Sequence, residues 1–212
     1  MIGDFSLGQK IILWVIPLLF AITVHETAHG WVASKCGDPT AKLLGRLTLN
    51  PLKHIDPIGT IIVPAILFFL GGFIFGWAKP VPITWQNLKN PRRDMALVAA
   101  AGPMANLGMA FLWVGIAKIA MAFSNAPIIY MAETGVMINL VLMLLNLIPI
   151  PPLDGSRVVA SFLSPAMAYQ FNKLEVYGFL ILVLLLASGI LARILGPMLQ
   201  GLLSVFFRFF GL

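Results

Sequence analysis

Apolar residues dominate this chain in long runs, and the polar ones gather in the gaps between them. The first run, Ile11 to Ser34, reads IILWVIPLLFAITVHETAHGWVAS and contains Pro17, where a kink is expected. A second, Ile58 to Trp77, is interrupted by Pro64, Gly71, Gly72 and Gly76. A third, Met95 to Phe123, opens with the small-residue cluster ALVAAAGPMANLG, and a fourth, Ile128 to Ile148, runs into NLIPIPPLDG. A fifth occupies Val176 to Leu195, and Gly196-Pro197 separates it from an apolar tail, Met198 to Phe210. These runs approach the ~20 apolar residues that cross a bilayer. They predict an all-α polytopic membrane protein with about five to six membrane helices.

Composition sharpens this picture. Of the 212 residues, 59% are hydrophobic and 10% charged, against about 25% charged in ordinary soluble domains. No soluble-looking stretch is long enough for a second unit, so residues 1–212 read as a single domain. The net charge of +6 does not indicate nucleic acid, because the 14 Lys and Arg cluster between apolar runs. That is the topogenic pattern of a lipid-embedded chain. The single cysteine, Cys36, excludes an internal disulfide and a Cys-rich metal site.

Loop charge also bears on topology. Segment 35–56 carries Lys35, Lys42, Arg46 and Lys53; segment 79–93 carries Lys79, Lys89, Arg92 and Arg93. A single crossing by residues 58–77 would put these basic loops on opposite sides, against the positive-inside rule. A re-entrant segment turning near Gly71-Gly72 keeps both on the cytoplasmic side.

The chemistry is concentrated in HETAH, residues 25–29. Histidines at i and i+4 stand about 40° apart on a helix, so both imidazoles reach one ion. A catalytic Zn2+ takes three protein ligands and a water, and Glu26, one step round from His25, is placed as base without ligating. Chance would have to place three ionisable residues inside a membrane helix, where a charged residue costs about 2.5–3.5 kcal/mol on insertion scales. The third ligand is not a histidine six residues on, because Lys35 stands there. Asp154 is the better candidate: it follows the fourth run in a stretch whose three prolines forbid a regular helix. Depth agrees. At about 1.5 Å per residue, His25 lies about 20 Å from the outer end of its span, toward the cytoplasmic side of a roughly 30 Å core. Asp154 reaches that same side from the fourth run.

HETAH, AGPMANL (101–107) and NLIPIPPLDG (146–155), in this order, resemble the site-2 protease family of intramembrane zinc metalloproteases, peptidase family M50. HIDPIGT (54–60) and FGWAKPVP (75–82) are similar to its short bacterial and archaeal members. The resemblance implies His25, His29 and Asp154 as ligands of one Zn2+ and Glu26 as catalytic base. It implies regulated cleavage of peptide bonds in or beside transmembrane segments of membrane-protein substrates. It also implies a prokaryotic cell membrane with the active site toward the cytoplasm. The 212 residues contain no inserted PDZ domain and no C-terminal CBS domain, both common in larger relatives.

Other positions carry weaker signals. His54 as a ligand would compete with Asp154; it is expected instead near the site or capping the re-entrant segment, or as a simply structural residue. Asn106 and Asn146 are expected either to bind substrate backbone or to tie helices together. Gly102, Ala105 and Gly108 read as close-packing positions. Segment 41–50, AKLLGRLTLN, alternates partly and suggests a short strand or hairpin near the site, onto which unwound substrate pairs. Two other functions use intramembrane ligands. A cation transporter needs polar residues at several depths, whereas this set lies at one level, and an idle scaffold has little use for Glu26.

Overall fold

The computed structural model describes residues 5–71 and 76–210. The first helix, α1 (Leu7–Lys35), starts in a capping box: Gln9 N–H donates to Ser6 Oγ at 3.3 Å and Ser6 N–H to Gln9 Oε1 at 2.8 Å. Pro17 lies inside this helix, buried. At the other end Gly37 N–H bonds to Ser34 O (3.3 Å) and Asp38 N–H to Ala33 O (2.9 Å), the paired bonds of a Schellman stop. That stop delivers Asp38 into the interior. Its carboxylate accepts from Thr40 N–H and Oγ1–H, Thr84 N–H and Asn87 Nδ2–H, tying the 84–87 turn to the end of α1.

The hairpin expected in 41–50 is absent: the described residues contain no strand. A short helix, α2 (Thr40–Leu43), forms instead. It ends in a second Schellman stop, with Gly45 N–H on Lys42 O (3.1 Å) and Arg46 N–H on Ala41 O (2.8 Å). The motif needs a left-handed residue, and Gly45 supplies it at φ +63°. The side-chain alternation was thus overridden by local turn chemistry.

The two ends of the 58–77 stretch come back together. A π-helical turn (Pro57–Ile62), capped by Asp56, leads into α3 (Val63–Gly71). On return, Trp77 N–H donates to Gly59 O at 3.0 Å, Thr60 Oγ1–H to Trp77 O at 2.9 Å, and Lys79 N–H to His54 O at 2.9 Å. The two ends of the segment therefore lie side by side, as expected of a re-entrant element. Its expected turn near Gly71-Gly72 extends outside the described residues.

The interior is built by α4 (Pro91–Ala122) and α5 (Ala126–Asn146), joined by a tight turn in which Asn125 caps α5. Ala110, Trp113, Val114 and Ala117 of α4 pack on Ala132, Val136, Leu140 and Met143 of α5. Gly135 sits under the Trp113 ring, where a β-carbon would fall 2.4 Å from it. Small residues at such crossings let helices approach closely in lipid. Helix α1 packs across both. After α5 the proline-rich turn ends at α6 (Asp154–Phe162), which packs on α4.

The remaining chain forms α7 (Pro165–Asn172), α8 (Glu175–Ala187) and α9 (Ile190–Phe210). The break expected at Gly196-Pro197 falls elsewhere. Pro197 is inside α9, and the chain turns at Ser188-Gly189, with Gly189 at φ +72°. Among the described residues, four helices are long and apolar enough to cross a membrane: α1, α4, α5 and α9. The pair α7 and α8, bent by 56°, makes five if it is one span, within the expected five to six.

Candidate metal centre

One turn of α1 separates His25 from His29, and both rings point to the same side, with ring centroids 4.7 Å apart. Helix α4 crosses that side at Gly102. A β-carbon there would fall 2.5 Å from His29 Nε2 and 2.6 Å from His25 Nε2, so only glycine leaves the two nitrogens room. This gives Gly102 a direct place at the site, beyond the packing role read from the sequence.

Each imidazole is oriented by a partner on its far nitrogen. His25 Nδ1 lies 2.6 Å from Asn106 Oδ1, and His29 Nδ1 lies 2.7 Å from Val98 O. Both partners are acceptors, because Asn106 Nδ2 is already donating to Ala21 O (3.2 Å) and to Asn139 Oδ1 (2.9 Å). Both Nδ1 atoms therefore carry the proton, which leaves a lone pair on each Nε2. Asn139 is held in turn by donating to Gly135 O at 2.8 Å. The relay Asn139–Asn106–His25 runs through α5, α4 and α1 and is buried.

Asp154 is the first residue of α6. The turn before it closes with Leu153 N–H on Ile150 O (2.9 Å) and Ser156 N–H on Leu153 O (3.0 Å). Gly155 lets this turn fold onto Leu147 O, which a β-carbon would meet at 2.3 Å. Asp154 Oδ2 thereby arrives 3.1 Å from His25 Nε2 and 3.3 Å from His29 Nε2. The two Nε2 atoms are themselves 3.1 Å apart.

Three lone-pair atoms thus converge in a near-equilateral triangle, buried or nearly so. Such a set is repulsive unless a cation sits among them. Tetrahedral Zn2+ with bonds of about 2.0–2.1 Å separates its ligand atoms by about 3.3 Å, so the triangle suits zinc. His25, His29 and Asp154 are the group of metal-capable side chains that the described residues bring together.

The other expected positions stand apart from that triangle. Glu26 Oε2 accepts from Val81 N–H at 2.8 Å, which anchors the carboxylate to the incoming 76–84 segment. That segment is irregular, and four of its amides are held: Trp77 by Gly59 O, Lys79 by His54 O, Val81 by Glu26 and Thr84 by Asp38. Arg46 Nη2 donates to Lys79 O and Pro80 O and so clamps the segment from the other loop. His54 is buried and donates from Nε2 to Thr48 O at 2.9 Å; the same carbonyl accepts from Thr27 Oγ1 at 2.8 Å. His54 thus supports the loop beside Glu26 and is not in the metal group. Asn106 has its amide engaged inside the protein, as above, and Asn146 donates back to Leu142 O on its own helix at 3.0 Å. Burial and the Asp94 carboxylate push the Cys36 thiol up despite Arg93 and Lys89.

Sequence reasoning did not single out Val98, Asn139 or Val81. Val98 and Val81 act through backbone atoms, which a side-chain pattern does not mark. Asn139 was detectable as a polar residue in the middle of the fourth apolar run.

Comparison with known proteins agrees with this geometry. The family model described as peptidase family M50 matches residues 13–121 and 113–188. The chain is 39% identical over 194 residues to the "Putative zinc metalloprotease YwhC" of Bacillus subtilis, covering 88% of this chain and 85% of that protein. It is 31% identical over 185 residues to the "Putative zinc metalloprotease Rip2" of Mycolicibacterium smegmatis, covering 86% and 69%. No solved structure matches.

Proposed function

The chain belongs to peptidase family M50 and is a zinc metalloprotease of the membrane; from that premise we propose that it is an endopeptidase cleaving bonds in or next to transmembrane segments of membrane-protein substrates. The observation that carries this reading is the triangle of His25 Nε2, His29 Nε2 and Asp154 Oδ2, two corners of which belong to a membrane-length helix. Regulated intramembrane proteolysis in a prokaryotic cell membrane, with the site facing the cytoplasm, extends the same reading.

His25, His29 and Asp154 would hold the zinc. Bound there, Zn2+ supplies Lewis-acid polarisation of the scissile carbonyl and lowers the pKa of water toward 7. The protein does the rest. Asn106 and Val98 O hold the imidazoles in the tautomer that offers Nε2. Glu26 takes a proton from the attacking water and returns it to the leaving amine. Its Oε2 is restrained by Val81 N–H. Asn106 is then a positioning residue for His25, with no amide hydrogen left for substrate.

The test is zinc content measured beside cleavage of a transmembrane peptide. Glu26→Gln retains zinc and loses at least about a hundredfold in rate, the scale of a general-base deletion. Asp154→Ala loses both. Full metal occupancy and normal cleavage in Asp154→Ala would remove it from the ligand set.

A further inference from the structure

A groove at the start of α4 has no part in the proteolytic reading. It is lined by Arg92, Arg93, Ala96, Leu97, Ser161 and Phe162 and has a volume of about 450 Å3. The first turns of α4 form one wall and the last turn of α6 the other. Arg92 Nη2 donates to Leu163 O, linking the two walls. Asp94, the acidic residue of the first turn, is buried, and its carboxylate accepts from Asn90 N–H at 2.7 Å. The two exposed arginines therefore face no acidic residue among those lining the groove.

The groove is also apolar. Phe162 is 80% exposed and Leu97 46%. A small anion would use the arginines and leave these side chains in water. A ligand with an anionic head and a hydrocarbon tail satisfies both ends. The apolar run of α4 begins at Met95, two residues after Arg93, and basic residues flanking such a run suit the level where lipid headgroups meet acyl chains.

We propose that this groove binds an anionic phospholipid, its phosphate on Arg92 and Arg93 and its first acyl carbons on Leu97 and Phe162. The bound lipid braces α4 against α6. Those two helices carry the carbonyl of Val98 that orients His29 and the ligand Asp154, so the brace acts on the walls of the metal centre.

Native mass spectrometry of the zinc-loaded protein in detergent tests this, with phosphatidylglycerol, phosphatidylcholine and glycerol phosphate as probes. Wild type retains phosphatidylglycerol over the other two. Arg93→Gln weakens that retention about fivefold and the Arg92→Gln/Arg93→Gln pair about thirtyfold, as expected from the worth of a basic residue near an anionic surface. Zinc content, measured alongside, stays at the wild-type level and shows that the variants are folded; if the pair loses zinc, Arg93→Gln alone decides. Unchanged retention in Arg93→Gln, or equal retention of phosphatidylcholine, overturns the site. Glycerol phosphate binding as tightly as phosphatidylglycerol overturns the lipid assignment in favour of a soluble anion. Phosphatidylglycerol raises the thermal midpoint of wild type more than that of Arg93→Gln; no rise in wild type overturns the brace.

Discussion

His25 Nδ1 and Asn106 Oδ1 approach to 2.6 Å where α4 crosses α1, both residues buried. Asn106 sets the tautomer of His25 through this bond. Asn106→Ala should weaken zinc affinity by about 10- to 100-fold, the usual cost of losing a partner behind a metal-bound histidine. Competition with a fluorescent chelator measures it. Unaltered affinity would mean that His25 is oriented by packing alone.

Gly102 has no room for a β-carbon, which would press on both Nε2 atoms at about 2.5 Å. Gly102→Ala is therefore expected to abolish zinc binding while leaving the protein in the membrane. Gly108, on the same helix with nothing within 4 Å of such a carbon, is the control: Gly108→Ala should bind zinc normally. The paired zinc analyses separate a local clash from a general loss of helix packing.

Val81 N–H is the anchor of Glu26. Val81→Pro removes that donor in a segment already held extended by Pro80 and Pro82. The expected result is a fall in kcat of about tenfold or more with zinc content unchanged, because no ligand is touched. A wild-type kcat would show that Glu26 is placed without this bond.

Asp38 gives a pH dependence outside the membrane-spanning helices. Burial opposes its ionisation, but the hydrogen bonds from Thr40, Asn87 and Thr84 together hold its carboxyl below the usual carboxylate range. A depressed folded-state pKa stabilises above the unfolded value, about 3.9, and this stabilisation disappears as pH falls through the folded value. Asp38→Asn should lower stability at pH 7 by about 1–3 kcal/mol, since amide hydrogens would then face N–H and O–H donors. The difference from wild type should shrink below about pH 3.9. Thermal midpoints of both proteins across that range check the sign.

The re-entrant path of residues 58–77 predicts that its two flanks face one side. Asn50 and Gln86 are both exposed and serve as labelling sites. Asn50→Cys and Gln86→Cys, each in a Cys36→Ser background, should react with an impermeant maleimide from the same side of sealed vesicles. Opposite-side reaction would mean that the segment crosses.

Periodicity and composition carried the helices, because a run of apolar residues in lipid has few alternatives to a self-bonded helix. The HETAH spacing likewise determined that His25 and His29 share a face, since that follows from helix geometry alone. Charge distribution was enough to indicate that residues 58–77 return. Local turn chemistry defeated the pattern at two places. Gly45 closes a helical turn where alternation suggested a strand, and Gly189 breaks the chain where Gly196-Pro197 was expected to. Tertiary structure alone decided what lies behind the proposed metal ligands. Asn106 became a support for His25 because α4 crosses α1 at Gly102, and Val98 and Val81 contribute a carbonyl and an amide that every residue type possesses. Backbone groups acquire such roles only from where the chain places them, so no side-chain pattern announces them.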